Sequence, residues 1–182
     1  MHFSVIENYI STTYANQMVK GPAPSNGRRA AVIGAGPSGL TIAVILARYG
    51  YQVTIFDSKD KIGGVMRYVI PDFRLPDAVL DDFAYRHLEL KGIQFRPNTA
   101  IGGAIGLDDD GRTSRPGVFA AGDVAHGART VVEAVATGKR VAEAMHEYMQ
   151  SLPMPEPSPY ADAPRVEPVE SSVLAEQVIP AP

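Results

Sequence analysis

The stretch AAVIGAGPSGLTIAVILARYGYQVTIFD, residues 30–57, decides the fold. It opens on a short apolar run, AAVIG, which is typical of a buried strand, and closes on a second one, QVTIFD. Between the two runs, residues 37–49 have the apolar spacing of a helix. The order strand, helix, strand predicts a βαβ unit, and therefore an α/β, Rossmann-like fold with a parallel sheet.

Three glycines occupy the turn between the first strand and the helix. Gly34 permits a tight turn, Gly36 lets a pyrophosphate approach the backbone, and Gly39 lets helix and strand pack closely. Pro37 suits the first helical position because its missing N–H would have no intrahelical acceptor. The pattern predicts a dinucleotide whose phosphates lie at the positive end of the helix dipole. Its contacts would be Gly34, Ala35, Gly36, Pro37, Ser38 and Gly39.

An acidic residue, Asp57, ends the second strand a little over twenty residues after the glycine loop. At that position a carboxylate accepts hydrogen bonds from the adenosine ribose hydroxyls. The same carboxylate would repel a 2′-phosphate. FAD or NAD is therefore expected at this site rather than NADP.

The middle of the chain continues the alternation of helices and strands. A helix is predicted from Pro76 to a cap at Gly92, followed by a third strand in GIQFRPN. Residues 99–117 have little periodicity and are expected to be a connection or hairpin. GVFAAGD then predicts a short buried strand, and a long helix is predicted from Thr130.

The two ends of the chain differ from this core. Residues 4–18 place apolar side chains four apart, which predicts a short amphipathic helix that docks on this chain or on another. The last 32 residues are rich in proline and acidic side chains, so they are expected to be extended, and either disordered or laid over a partner. The predicted organisation is a helix and linker over 1–29, a nucleotide-binding domain over 30–150 and a Pro-rich tail over 151–182.

Composition excludes several classes of function. The chain has 182 residues, too few for two full nucleotide-binding domains. Its net charge of −3 and the lack of a basic run argue against nucleic acid and anionic membranes. The chain contains no cysteine, which excludes disulfides and any Fe–S cluster held by its own thiolates. With no signal sequence and no apolar run of membrane-spanning length, we expect a cytoplasmic protein.

Two further segments carry a resemblance to a known family. KIGGVMRYVIPDFRLP, Lys61 to Pro76, and TSRPGVFAAGDVAHGARTVVEAVATGKRVAEAM, Thr113 to Met145, resemble the FAD-binding domain of the glutamate synthase small subunit family. That family includes the flavin domains of dihydropyrimidine dehydrogenase and of NADH-dependent ferredoxin:NADP oxidoreductases. The similarity runs from about residue 7 to residue 148, and it implies FAD as the cofactor.

The resemblance assigns roles outside the glycine loop. The bend at Gly63 and Gly64 can pass close to a flat cofactor, and Arg74 corresponds to an arginine that contacts FAD. Asp123 resembles the acid that hydrogen-bonds the ribityl or pyrophosphate region. The helix after Thr130 would point its N–H groups at the pyrimidine edge of the flavin. The FAD-binding residues expected beyond the loop are Asp57, Ser58, Lys59, Gly63, Gly64, Val65, Arg74, Ile101, Gly122, Asp123, Thr130 and Val131.

The chain departs from the family in what it lacks. It has neither the cysteine-ligated Fe–S domain nor the NAD(P)H domain, so no NAD(P)H site is expected on it. It also lacks the family's ATG strand, so GVFAAGD must either pair with AAVIG directly or leave a gap that a partner fills.

The function expected from this pattern is a small FAD-binding electron-transfer subunit, inactive alone, which relays electrons between partner Fe–S clusters and another redox site. One alternative is a non-catalytic structural or regulatory subunit, and another is a free-standing flavoprotein reductase. No catalytic side chain and no metal site are expected.

A few polar side chains were candidates for chemistry. His126 is expected to be a surface or packing residue rather than a proton donor, and His87 and His146 to be partly exposed packing on helices. Arg67 and Arg129 could neutralise cofactor charge or equally form exposed salt bridges.

Overall fold

A computed structural model describes residues 6–7, 9–10, 13–14, 21–100, 111–123 and 130–154. Within these ranges a parallel sheet has the order β1-β2-β3. Arg29 lies opposite Gln52, and Thr54 lies opposite Gln94. The Rossmann-like α/β fold expected from the sequence is confirmed.

Most of the helices and strands follow the predicted order. Their bounds are β1 Arg29–Ile33, α1 Pro37–Arg48, β2 Gln52–Phe56, α2 Val65–Tyr68, α3 Asp77–Phe83, β3 Gln94–Arg96 and α4 Val131–Ser151. The helix predicted between Pro76 and Gly92 is not uniform, because α3 passes into a π-helical segment, Ala84–Leu88, and a 3-10 turn, Glu89–Lys91. Gly92 ends it with a φ of +70°, as expected of a C-cap glycine. The short helix α2 was not predicted.

The core forms where α1 packs on the sheet and against α4. Leu46 of α1, Ile55 of β2 and Val141 of α4 are its largest fully buried side chains. Gly39 gives the close approach of α1 to β1, since a Cβ there would collide with the carbonyl oxygen of Gly34. Gly138 allows a similarly close approach of α4 to α1, because a Cβ there would lie 2.8 Å from the carbonyl oxygen of Ser38.

The strand predicted for GVFAAGD is wrong. Residues 118–120 turn back on residues 111–113 instead, with hydrogen bonds from Thr113 N to Val118 O and from Ala120 N to Gly111 O. Only one antiparallel bridge forms, between Arg112 and Phe119. A strand needs a neighbour to pair with, and none of the strands β1 to β3 pairs with this segment.

The sequence left two outcomes for this segment, direct pairing with β1 or a gap beside it, and the structure has the gap. An apolar cleft of about 540 Å³ separates the hairpin from the open edge of β1.

The ends of the chain are described only in part. Ile6, Tyr9, Ile10 and Tyr14 of the predicted N-terminal helix are exposed by 40% or more, and the rings of Tyr9 and Tyr14 meet edge to face. The tail beyond Met154, the loop with His126 and Arg129, and Ile101 lie outside the described residues. No helix in the described ranges is both long and apolar enough to cross a membrane.

Candidate functional site

The carboxyl ends of β1 and β2 meet the N-terminus of α1, and this edge forms the candidate site. The chain leaves β1 through Gly34, whose φ of +97° only glycine adopts without strain. The turn is held to the neighbouring strand by a 2.7 Å hydrogen bond from Gly34 N to Phe56 O. A Cβ added at Gly36 would meet no atom within 4 Å, so the backbone there faces open space.

The first turn of α1 has backbone N–H groups that are free to bind a ligand. Pro37 is the first helical residue, and neither a capping side chain nor an acidic residue covers this end of the helix. The N–H groups of Gly36, Ser38 and Gly39 donate no hydrogen bond to any described residue. Uncapped N–H groups at the positive end of a helix dipole are the usual partners of a phosphate.

Asp57 is joined to the glycine loop as well as to its own turn. Its Oδ2 accepts a 2.6 Å hydrogen bond from Ala35 N, and its Oδ1 accepts a 2.8 Å hydrogen bond from Lys59 N. The sequence predicted a ribose ligand here but gave no sign of the contact with Ala35. Each carboxylate oxygen has a second lone pair, so the group can hold the loop and still accept from a ligand hydroxyl.

A small pocket of about 200 Å³ opens beside this carboxylate. Its lining residues come from the ends of all three strands: Ile33, Gly34, Phe56, Asp57, Ser58, Thr99 and Ala100. The segment after β3 is fixed over the sheet edge by a hydrogen bond from Thr99 N to Asp57 O. Ile101, an expected cofactor contact, follows directly in sequence but lies outside the described residues.

The Gly63-Gly64 bend lies over the glycine loop, and a hydrogen bond from Gly63 N to Ala35 O joins them. Both glycines have positive φ, +122° and +53°. A Cβ on Gly64 would come within 2.9 Å of the Cα of Gly36. The two glycine segments therefore approach as closely as backbones without side chains allow.

Arg67 anchors this bend and was not predicted to do so. Its side chain is only 3% exposed, and its Nε donates to the carbonyl oxygen of Ile62. Its Nη2 donates to Asp81 at 2.7 Å, while its Nη1 lies 2.9 Å from Asp77 at an ion-pair distance that lacks hydrogen-bond geometry. Of the two interpretations left open by the sequence, Arg67 is a salt-bridge partner, although a buried one.

The segment around Gly122 lies against the first turn of α1. A Cβ on Gly122 would lie 3.1 Å from the Cβ of Ser38. The hydroxyl of Ser38 is buried and has no hydrogen-bond partner among the described residues. A buried hydroxyl without a partner costs free energy, so it fits a site that a polar ligand completes.

The N-terminus of α4 is already capped. The hydroxyl of Thr130 accepts from Glu133 N at 3.2 Å, and the Glu133 carboxylate accepts from Thr130 N at 3.0 Å, which is a capping box. Glu133 lies three residues after Thr130, which is the spacing of that motif, and it was not among the expected site residues. The end of the helix that was expected to face the flavin thus carries a negative charge.

Several of the expected site residues have exposed side chains in the structure. Arg74 and Asp123 are exposed, as are Val65 and Val131 at the starts of their helices. The ammonium of Lys59 lies 5.6 Å from the ring centre of Tyr68. The Tyr68 hydroxyl donates to Asp60 at 2.6 Å, which lowers the pKa of that carboxyl and raises the pKa of the phenol.

The histidines of the helices are packing residues, as expected. His87 stacks on Phe83, and burial, with help from the charge of Lys91, lowers the pKa of its imidazole. His146 stacks on Tyr49, and its Nδ1 lies 2.9 Å from the hydroxyl of Tyr51. In the described part of the chain, no three His, Asp or Glu side chains are grouped as metal ligands.

Two family models match parts of this chain. Residues 32–83 match the family model of an NAD(P)-binding Rossmann-like domain, and residues 98–138 match that of pyridine nucleotide-disulphide oxidoreductase. The glutamate synthase [NADPH] small chain of Mycobacterium tuberculosis is 36% identical over 72% of this chain and 26% of its own length. The NAD-dependent dihydropyrimidine dehydrogenase subunit PreT of Salmonella typhimurium is 41% identical over 47% of this chain and 21% of its own.

The chain is homologous to part of these oxidoreductase subunits. It spans about a quarter or less of the length of these two relatives. A solved structure, 6-hydroxypseudooxynicotine amine oxidase from Pseudomonas geniculata N1, aligns with 28% identity over 51% of this chain and 14% of that one, at a TM-score of 0.34. The residues matched by the Rossmann-like family model, 32–83, contain the glycine loop, Asp57 and the Gly63-Gly64 bend.

Proposed function

We propose that this chain is a small FAD-binding subunit of an oxidoreductase complex, in which it passes electrons between partner Fe–S clusters and another redox site. One observation carries the proposal. The uncovered N–H groups of α1, the Asp57 carboxylate and the 200 Å³ pocket lie side by side at one edge of the sheet. A ligand with an adenosine end and a diphosphate fits these three features, because the diphosphate can bind the N–H groups and the ribose can bind the carboxylate.

The choice of FAD over NAD rests on the segment that lies against the glycine loop. The Gly63-Gly64 bend, which lies against Gly36, belongs to one of the two segments that resemble flavin domains. The relatives are named as subunits of oxidoreductases. When bound, FAD would supply the exchange between two-electron and one-electron transfer.

The chain's own residues bind and orient. The N–H groups of Ser38 and Gly39 would hold the diphosphate, and the Ser38 hydroxyl would gain the partner that it lacks. Asp57 would keep Ala35 in place while accepting from the ribose. The bend held by Arg67 would exclude water from the diphosphate. No side chain is required to move a proton.

The partner in this proposal is an Fe–S protein, because a chain without cysteine cannot hold such clusters with its own thiolates. We further propose that residues 30–150 are the flavin domain, between an N-terminal docking segment over 1–29 and a tail over 151–182, and that the complex works in the cytoplasm.

The first experiment identifies the nucleotide. The full chain is purified together with its natural partners, its visible spectrum is recorded, and the released nucleotide is identified by mass. Stoichiometric FAD is the expected result. Bound NAD, or an absence of flavin in protein that is folded by circular dichroism, would overturn the assignment.

A second experiment separates electron transfer from a structural role. The rate of flavin reduction is compared for the chain alone and for the chain within its complex, each with NADH, NADPH and reduced ferredoxin. Reduction at catalytic rates only in the complex supports the relay. Flavin that stays oxidised in an active complex indicates a structural subunit, and rapid reduction by NADH in the isolated chain indicates a free-standing reductase.

A further inference from the structure

The open edge of β1 faces a cleft that has room for one more strand. In a parallel pair, alternate residues hydrogen-bond to the neighbour. Arg28 O accepts from Gln52 N, and Gly34 N donates to Phe56 O, which fixes the even-numbered residues as those that face β2. The N–H and C=O groups of Arg29, Ala31 and Ile33 therefore point into the cleft, and none of them bonds to a described residue.

The cleft is lined mainly by apolar side chains. Its lining includes Ile42 and Leu46 of α1, Met145 and Met149 of α4, and Phe119 of the hairpin. Ile33 is 59% exposed, although it sits in the strand that precedes the glycine loop. Unpaired backbone groups beside an apolar wall are the two features that recruit an extended peptide as an added strand.

The described chain ends at the entrance to this cleft. The Arg28 guanidinium donates to the carbonyl oxygen of Leu152 at 2.8 Å, which joins the end of α4 to the residue before β1. The side chain of Met154 lies 3.1 Å from a Cβ placed on Gly27. The last described residue, Met154, therefore lies near the start of the open edge, and residues 155–182 follow it in sequence.

That tail contains one segment with the composition of a strand. Residues 172–179, SVLAEQVI, hold Val173, Leu174, Val178 and Ile179 and no proline. The intervening residues 155–171 can span up to about 56 Å when extended, whereas a five-residue strand is about 17 Å long. The segment can therefore reach the whole edge of β1 in either direction.

We infer that residues 172–179 of the same chain add to β1 as a fourth strand and fill the cleft. Their tether keeps the segment at an effective concentration of about millimolar at the edge. Weak pairing therefore suffices for occupancy in cis, whereas a strand from another molecule would have to bind without that advantage. The proline-rich residues before the segment serve as the spacer.

Amide hydrogen exchange on the full chain tests this inference residue by residue. Ala30 and Val32 face β2 and serve as internal references, whereas Ala31 and Ile33 face the cleft. We expect all four amides to be protected in the wild-type protein. In the variant Leu174→Pro/Gln177→Pro, Ala31 and Ile33 should exchange at least about tenfold faster while the reference amides stay unchanged.

A matched control is Ala161→Pro, which adds a proline to the spacer and should leave all four amides unchanged. Exchange is also measured at two protein concentrations tenfold apart. Protection of Ala31 and Ile33 that falls on dilution would assign the strand to a second copy and overturn the inference. Fast exchange of both amides in the wild type, or protection that appears only with partner subunits, would overturn it as well.

Discussion

The Asp57 carboxylate lies 2.6 Å from the backbone nitrogen of Ala35, so the end of β2 holds the glycine loop that follows β1. A second oxygen of the same carboxylate accepts from Lys59 N. The residue expected to bind a ribose is thus also a structural clamp on the phosphate loop. These two roles can be separated by substitution.

We expect Asp57→Ala to lower the free energy of unfolding by about 2 kcal/mol, because hydrogen bonds to a charged acceptor are worth more than neutral ones. Asp57→Asn keeps one acceptor oxygen and should cost less than half as much, while still weakening cofactor binding. Urea unfolding and cofactor titration measure the two effects. Asp82→Ala, which removes an exposed i,i+4 ion pair with Arg86, is the control and should cost under about 0.5 kcal/mol. An equal loss of stability in all three variants would contradict the clamp.

Gly36 and Gly39 should respond differently to the same added methyl group. Gly36→Ala meets open space, so stability should be preserved while the methyl group blocks the phosphate and raises the Kd for FAD about tenfold or more, an effect of about 1.4 kcal/mol. Gly39→Ala drives a Cβ into Gly34 and should cost about 1–3 kcal/mol of stability. Gly21→Ala, also in open space and away from the loop, serves as the control. Unchanged affinity in Gly36→Ala would place the ligand elsewhere.

Arg67 should be intolerant of lysine. Its guanidinium spans Ile62, Asp77 and Asp81 at once, and a single ammonium cannot reproduce that fork. We expect Arg67→Lys to lose about 1–2 kcal/mol of stability and to weaken cofactor binding through the Gly63-Gly64 bend. Arg86→Lys, on an exposed pair, is the matched control. Cofactor affinity that stays unchanged in Arg67→Lys would show that the bend does not contribute to binding.

Stability should fall as the pH falls from about 7 toward 5. Burial lowers the pKa of His87 in the folded protein below its ordinary value near 6.5, so the unfolded chain binds the proton more readily. The stability that the neutral, buried imidazole contributes is present at pH values above about 6.5. It is lost as the pH falls and His87 becomes protonated. His87→Gln should show a shallower loss in urea unfolding at pH 7.5, 6.5 and 5.5. A slope as steep as that of the wild type would remove His87 as the cause.

Glu133 should influence the cofactor if the N-terminus of α4 faces it. Glu133→Gln keeps a capping acceptor for Thr130 but removes the negative charge. The midpoint potential of bound FAD should then become more positive, because the reduced form carries the extra electron density. Glu147→Gln, exposed near the other end of the same helix, is the control in a spectroelectrochemical titration. Equal potentials in both variants would place the flavin away from this helix end.

The sequence predicted β1 to β3, α1 and α4 because local periodicity of apolar residues indicates each of them. Glycines and prolines such as Gly34, Pro37 and Gly92 mark the turns and helix ends. It failed at residues 117–123, where the apolar pattern of a strand is present but the neighbouring strand is not among the described residues. It also missed the anchoring role of Arg67, since the acids that hold it lie ten and fourteen residues away, on a different helix. The capping role of Glu133, by contrast, follows a local spacing, Thr130 to Glu133, that sequence alone can indicate.

The exposed edge of β1 also bears on how the protein behaves at high concentration. A row of unpaired backbone groups next to the exposed Ile33 is a template on which any extended chain can add. Molecules in which that edge is uncovered will therefore self-associate through their sheets, and the yield of soluble protein will depend on keeping the edge occupied during expression and purification.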